Sequence, residues 1–444
     1  MQIKDRIDVA RRIHFSAARP LRKWVSGLGI SVVLGAVAPT SAQQVPRAST
    51  DEIRPNELLQ DRYDRRGQIP TIDAFPFQVT ALAAADLGFN DNVFAQPTGL
   101  KSDFYFDVGA KVHTNYQHEA FSAVLDTSVL DHQFVTLTTE NFWEANARLT
   151  LHDTLSDDFG YLFQGGIQRL AVPRTDPNPI NGRTPATYLL LDALPGVTIG
   201  SSQGNLITFS LGYDQTVFDN IQGLNGPVDA TQRNRTELLA DFRLDHFFFG
   251  QQEAFVELRP NTRNYQQKFD SSGFLQASNG GRADAGFVFD LNSLFLITVS
   301  GGWQQQDYAD ARFGAIGVPD ATVDVRWSPT LLTQLDAKFI HEYTEDIDVN
   351  APINSPGYTH NQGILSIQHE LRRDILLSLM VSDDFRDLER SPTRFNLVDI
   401  GPRAQYRLAE GVSLGFNYDH VQLNSNIATH YSDDIALFTV KKQF

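Results

Sequence analysis

The chain has 444 residues, no Cys, and an acidic balance of 37 Lys and Arg against 53 Asp and Glu. That balance, with no basic stripe, speaks against nucleic-acid binding, and the lack of Cys suits an envelope protein that crosses an oxidising periplasm unfolded. No run reaches the roughly 18 apolar residues that a spanning helix needs, which excludes a helical membrane protein but not a transmembrane barrel of alternating strands.

The first 42 residues read as a secretory signal. Lys4, Arg6, Arg11, Arg12, Arg19, Arg22 and Lys23 make the leader basic, Val25 to Ala38 is its apolar core, and Thr40-Ser41-Ala42 fits a small-residue cleavage site. An apolar core of about 14 residues is too short for an anchor helix. Cleavage after Ala42 leaves 30 basic against 51 acidic residues. Residues 43–74 are polar, contain Pro and Arg, and show no sustained period, so they read as a flexible periplasmic extension.

From residue 75 the pattern changes. Phe77, Val79, Ala81, Ala83, Ala85, Leu87 and Phe89 alternate with polar residues, a period of two that marks a strand with one apolar face. Phe104, Phe106 and Val108 repeat it against Asp103, Asp107 and Lys111, and Trp143 to Leu151 repeat it against Glu144 and Arg148. Phe121 to Val129 is a weaker case, and Tyr188 to Ile199 carries Pro195 inside the run. The second half is cleaner. Examples are Phe295 to Trp303, Ala321 to Trp327, and Leu335 to Phe339 against Asp336 and Lys338. The count is about 18 strands, within the even-numbered range of outer-membrane barrels.

Connections alternate between long and short. Short ones include Leu291–Leu294, Ser328–Leu331, Leu371–Asp374 and Leu408–Gly411. Long ones include Leu170–Ala186, Phe218–Arg233, Tyr265–Arg282, Gln305–Asp320, Tyr343–His360, Asp384–Arg394 and Asp419–Tyr431. Barrels of this kind have short periplasmic turns and long outer loops, and a closed sheet leaves no edge exposed to lipid. The fold expected for residues 75–444 is therefore all-β, a transmembrane antiparallel up-and-down barrel of about 18 strands (16–18). The last strand ends on Phe444, with Val440 and Phe438 in phase. It resembles the insertion signal of bacterial outer-membrane barrels, although Lys442 stands where an apolar residue is usual.

The apolar parity should face lipid and the mixed parity the lumen. The lumen-lining candidates are Lys111, Arg148, Glu237, Asp241, Arg243, Glu257, Arg259, Arg263, Asp324, Arg326, Asp336, Lys338, Arg403 and Arg407. Acids and bases are balanced on this wall, so cross-strand charge pairing is weighed against a selectivity ring, and pairing is preferred. The His residues are scattered, none forms a metal-binding pair on a helix, and they read as surface or interfacial groups. No catalytic residue, cofactor or metal site is expected. Acidic clusters at Glu345, Asp346 and Asp348, at Asp383, Asp384, Asp387 and Glu389, and at Asp307 and Asp310 read as solvated loop surface, with divalent-cation binding as the alternative.

FNDNVF at Phe89–Phe94, Ser102-Asp103-Phe104, Gly301–Gly314 and Val325–Ala337 resemble the family called putative β-barrel porin 2, over roughly Phe75 to Phe444. The resemblance implies an outer-membrane barrel, often encoded near exopolysaccharide genes, and no catalytic residues. The function expected is a porin-like channel for polar solutes, with exopolysaccharide export as the finer reading. The rival is a structural or adhesive barrel with a closed lumen and functional outer loops, and a barrel enzyme is a distant third. The partners expected are outer-membrane lipid and lipopolysaccharide, the barrel assembly machinery and polysaccharide export components, with no nucleic acid.

Overall fold

The computed structural model describes residues 58–444 apart from 70, 178–181, 202, 224–225, 249–251, 271–272, 292–293, 346–354 and 428–429. The signal segment, residues 43–57, Asp346 and Asp348 lie outside the described residues.

Eighteen antiparallel strands close into one barrel. In chain order they are β1 (Phe77–Asn90), β2 (Asp103–His118), β3 (Phe121–Phe134), β4 (Phe142–Ser156), β5 (Phe159–Ala171), β6 (Thr187–Gly200), β7 (Asn205–Phe218), β8 (Arg235–Phe248) and β9 (Gln252–Tyr265), followed by β10 (Ser278–Leu291), β11 (Phe295–Tyr308), β12 (Ala315–Thr330), β13 (Thr333–Glu345), β14 (Gly357–Arg372), β15 (Ile375–Leu388), β16 (Arg394–Ala409), β17 (Val412–Ser425) and β18 (Tyr431–Gln443). Each pairs with its neighbour in sequence. The seam is β1 against β18, in register from Leu82↔Gln443 to Asn90↔Ile435, and the Phe444 amide donates to the Ala81 carbonyl.

The outward face is apolar and uncovered by the rest of the chain. Phe104, Phe106 and Val108 are each about half exposed, while Tyr105 and Asp107 between them are buried. Leu87, Phe438 and Phe416 run side by side across the seam on this face. Phe77, Tyr116 and Phe121 form a ring-to-ring row at the periplasmic end, with centroids 5.6 and 5.8 Å apart. Phe89 and Phe104 meet at 5.0 Å nearer the outer end, consistent with the aromatic girdles of such barrels. Lys442 points outward with its ammonium 5.0 Å from the Phe444 ring centroid, so its stem adds to the apolar band.

Several strands outrun the sequence reading. β10 begins at Ser278, β11 reaches Tyr308, β12 begins at Ala315, β15 reaches Leu388 and β17 reaches Ser425. Above the lipid both faces carry polar residues, as Gln305, Asp307, Gln422 and Asn424 do, so the alternation that reveals a strand fades while its ladder continues. Pro195 lies within β6, where the ladder to β7 skips from Ala193↔Tyr213 to Gly196↔Ser210. Pro has no N–H to give to a ladder.

The stretch read as a flexible extension holds structure in its second half. Helix α1 spans Leu59–Gly67. Its first turn carries Asp61 and its last turn Arg65 and Arg66, charges that complement the helix dipole. Leu59, Arg62, Tyr63 and Arg66 share one face by helical spacing. After it, Ile72–Ala74 pairs with the start of β1 as a short hairpin arm.

Candidate functional site: the lumen and its two ends

Helix α1 lies inside the periplasmic end of the barrel. Leu59 and Tyr63 pack on Leu376 of β15, whose neighbours Leu377 and Leu379 face out. The Leu59 amide donates to Gln334 Oε1 on β13 at 2.8 Å, and the Tyr63 hydroxyl donates to the Asp374 carbonyl at 2.8 Å. Arg66 pairs with Glu370 of β14 at 2.5 Å, and Arg62 lies 3.9 Å from the same carboxylate. The Arg407 guanidinium stacks 4.3 Å from the centre of the Tyr63 ring and donates to the Tyr63 carbonyl. The helix is thus held against the inner wall of β13–β16. Burial pushes the Tyr63 phenol up to about 12.

Inward-folded segments line the outer end. After β1 the FNDNVF motif turns into the barrel. The Asn90 side chain accepts from the Asn92 amide at 2.7 Å, and Asn92 Nδ2 donates to the Ser432 carbonyl at 2.8 Å. This seats Val93 among Tyr105, Phe134 and Leu437, with Phe94 beside them. The β5–β6 connection crosses above. Its Arg174 pairs with Glu140 at 2.8 Å and faces the Phe94 ring at 5.9 Å. From the other side the top of β13 leaves β12 above His341. Its Glu345 accepts from Arg263 at 3.2 Å, Ser278 Oγ at 2.8 Å and Tyr308 at 2.9 Å, and also from Tyr265.

Between these ends, charges on the inner wall are mostly neutralised in pairs. Arg263 meets Glu237 at 3.1 Å, Arg259 meets Asp241 at 3.3 Å and Glu257 at 3.1 Å, and Arg326 meets Asp336 at 3.0 Å. Arg243 bonds Asp245 and Glu253, each at 2.6 Å, over the Phe255 ring. Arg148 reaches Asp192 at 2.9 Å and Arg403 reaches Asp419 at 3.4 Å. Asp324 and Lys338 are register partners. Lys111 sits on the same face, exposed, near enough to Asp126 for their charges to interact. Arg407 lines the lumen only beneath the helix.

The sequence reading missed one continuous run of charges. Arg282 contacts Asp284, Asp320 at 3.2 Å and Glu342 at 3.4 Å. Glu342 meets His360 at 3.2 Å, His360 meets Asp384 at 3.3 Å, and Asp384 meets Arg386 at 2.6 Å. Gly302 lies between Asp284 and Asp320 in register, and a Cβ there would come within 2.4 Å of Asp284 Oδ1. Only Gly allows this approach. Arg282 was placed in a loop, although its parity matches Asp284, which was the available signal. His360 is buried, against the reading of surface His.

The acidic clusters also need correction. Glu345 and Asp384 are buried carboxyl groups with structural partners. Asp310 accepts from Arg312 Nε at 2.8 Å and from the Leu275 amide at 2.9 Å. Those bonds hold its carboxyl well below the usual carboxylate range. Among the described residues no group of three or more acids or His is placed to hold a metal.

A closed barrel with a lipid-compatible exterior and a polar interior is an outer-membrane protein of the porin kind. The family model for putative β-barrel porin 2 matches residues 74–444, and the chain belongs to that family. It is a bacterial outer-membrane β-barrel. Similar solved structures include Pseudomonas aeruginosa OpdK with vanillate, 9% identical over 82% of this chain and 99% of that one, with a TM-score of 0.45. P. aeruginosa OccK2 (OpdF) in complex with glucuronate is 10% identical over 85% of this chain and 100% of that one, with a TM-score of 0.45. P. aeruginosa OccK9 (OpdG) is 10% identical over the same shares, with a TM-score of 0.46. No curated protein matches the chain.

Proposed function

We propose that this porin-like barrel passes a polar solute, and that the solute is a secreted polysaccharide. The observation that carries the reading is the inner wall itself. Most of its charges are paired within the wall, so it offers a hydrated solute a largely neutral hydrogen-bonding surface and no ring of like charges. Salt with a Debye length of about 8–10 Å screens what charge remains. A weak cation preference that falls at high salt is expected. The test joins two measurements. Purified protein should conduct in planar bilayers without strong anion selectivity, and deleting the gene should lower secreted polysaccharide without changing its repeat unit. Unchanged export in the deletion strain would leave a general porin as the better account.

A second reading is favoured by the packed outer end, where Val93 and Phe94 fold in against the wall and Arg174 faces the Phe94 ring. A barrel closed in this way serves as a structural or adhesive platform. It would show no conductance even after the outer segments are shortened.

A further inference from the structure

We propose that the outer end of β13 is a gate: it lies folded against the lumen side of β9–β12, and it widens the mouth of the barrel by swinging back into line beside β12. The inference rests on the channel reading above and adds which element opens the path and what holds it shut.

The ladder between β12 and β13 stops short of both strand ends. Its outermost pair is Ala321↔His341. Beyond that pair β12 runs on to Ala315 against β11, and β13 runs on to Glu345 against β14. Among the described residues, 315–320 and 342–345 have no strand partner on the sides that should join them. The two ends have parted in depth. By alternation Tyr343 and Glu345 share the outward parity of Phe339, which is 43% exposed. Their side chains nevertheless meet the inner wall. Glu345 accepts from Ser278 and Tyr308, the Tyr343 hydroxyl meets that of Tyr308 at 2.5 Å, and the Tyr343 ring packs with Phe274, Phe313 and Ile316. The end of β13 thus overlaps its neighbours on the lumen side, like the free edge of a rolled sheet. The level is above the lipid, since Gly317 and Ala315 lie beside Gln305 and Asp307, so an unpaired edge can meet water there. Arg390 of the β15–β16 loop donates to the Ala315 carbonyl on that edge at 3.4 Å.

Pro319 supplies the reason for the parting. Continuing the register places it beside Tyr343. Tyr343 turns its backbone to the vacated edge, because its amide and carbonyl both bond the Gln304 side chain of β11, at 3.3 and 2.9 Å. A completed ladder would offer that carbonyl the Pro319 nitrogen, which has no hydrogen to donate. The Gln304 carboxamide offers both a donor and an acceptor, so the folded position is better bonded at this residue. It has a cost of its own. The Thr344 hydroxyl is buried there with no hydrogen-bond partner among the described residues, which is unfavourable. Each arrangement therefore has one defect, at Pro319 or at Thr344, and neither is locked. The swing takes a layer of backbone and side chains off the lumen face of β9–β12.

The test uses the full-length protein, in which an introduced Cys pair has no competitor. In the swung-out state Val318 and Thr344 become register partners. In the folded state Thr344 points away from the wall, on the face opposite Tyr343. V318C/T344C should cross-link under mild oxidation, read as a shifted band on non-reducing gels. The oxidised protein should hold a larger conductance in planar bilayers until a reductant is added. Pro319→Ala supplies the missing N–H. It should speed cross-linking in that background about fivefold, the scale of one net backbone hydrogen bond. Failure to cross-link, or a rate unchanged by Pro319→Ala, overturns the inference. Cross-linking that Pro319→Ala accelerates, in a protein that passes no current, upholds the moving strand end and rejects the channel reading. Current in a protein that never cross-links does the reverse.

Discussion

Arg66 and Glu370 meet at 2.5 Å inside the barrel, and Glu370 is 2% exposed. The pair ties a helix that precedes the barrel in sequence to a strand near its end. Breaking a buried pair by removing one partner costs about 3–5 kcal/mol, because the remaining charge is left buried. The double variant R62A/R66A should therefore free α1. Its expected signature is a larger single-channel conductance together with new protease cleavage between Leu59 and Gly67. Wild-type conductance with an unprotected helix would mean that α1 does not narrow the path.

Gly88 on β1 lies beneath the Tyr105 ring, where a Cβ would stand 2.0 Å from Cζ. Gly88→Ala should destabilise the barrel by about 1–3 kcal/mol through overpacking, read as a lower temperature for loss of the compact band on unheated gels. Y105S should restore it in the double variant. Additive losses in the two single variants would show that the contact is not the cause.

Topology can be read with single Cys residues in a chain that has none. Asn350 and Asn292, natural choices from the loop lengths, lie outside the described residues. Ala311 in the β11–β12 loop and Ala409 at the end of β16 are exposed and described. An impermeant thiol reagent on intact cells should label A311C and spare A409C. The opposite result would invert the barrel.

Deleting Phe444 removes the amide that donates to Ala81 across the seam and the ring beside Lys442. More protein should remain periplasmic and be degraded. Normal assembly of the shortened chain would show that the seam closes without its last rung.

Asp310 supports a pH prediction. Its folded value is depressed by Arg312 and by backbone donors, so its stabilising effect is fully present above the ordinary value of about 3.9 and is lost only as pH falls through the lower, folded value. The β11–β12 loop should resist pepsin at about pH 3, below that ordinary value, and D310N should be cut. Equal cleavage of both proteins would remove Asp310 as the latch.

The exterior of this barrel was legible because lipid is a uniform solvent. Phe104, Phe106 and Val108 must all be apolar, and a period of two is enough to find them. The interior imposes no such uniformity. Asp384 reads the same in a sequence whether it is hydrated in a loop or buried against His360 and Arg386. Helix α1 is nine residues long and buries Arg62 alongside Leu59 and Tyr63, so its inner face carries no apolar stripe. Of the lumen candidates, Glu237 and Arg263 or Arg326 and Asp336 could be paired from strand register. The run from Arg282 to Arg386 could not, because it crosses stretches where the outward face is already polar.

The placement of α1 also bears on the order of assembly. The helix is joined by a few residues to β1, the first strand, yet it docks on β13–β16, which are synthesised late. A helix docked there before the seam forms would hold the two ends of the sheet near each other. Closing the β1–β18 seam then spans a short tether in place of a chain of some hundreds of residues, and the entropy of closure falls accordingly. In this sense α1 is a built-in template for circularisation: a chain lacking it should still form hairpins but close its ring slowly.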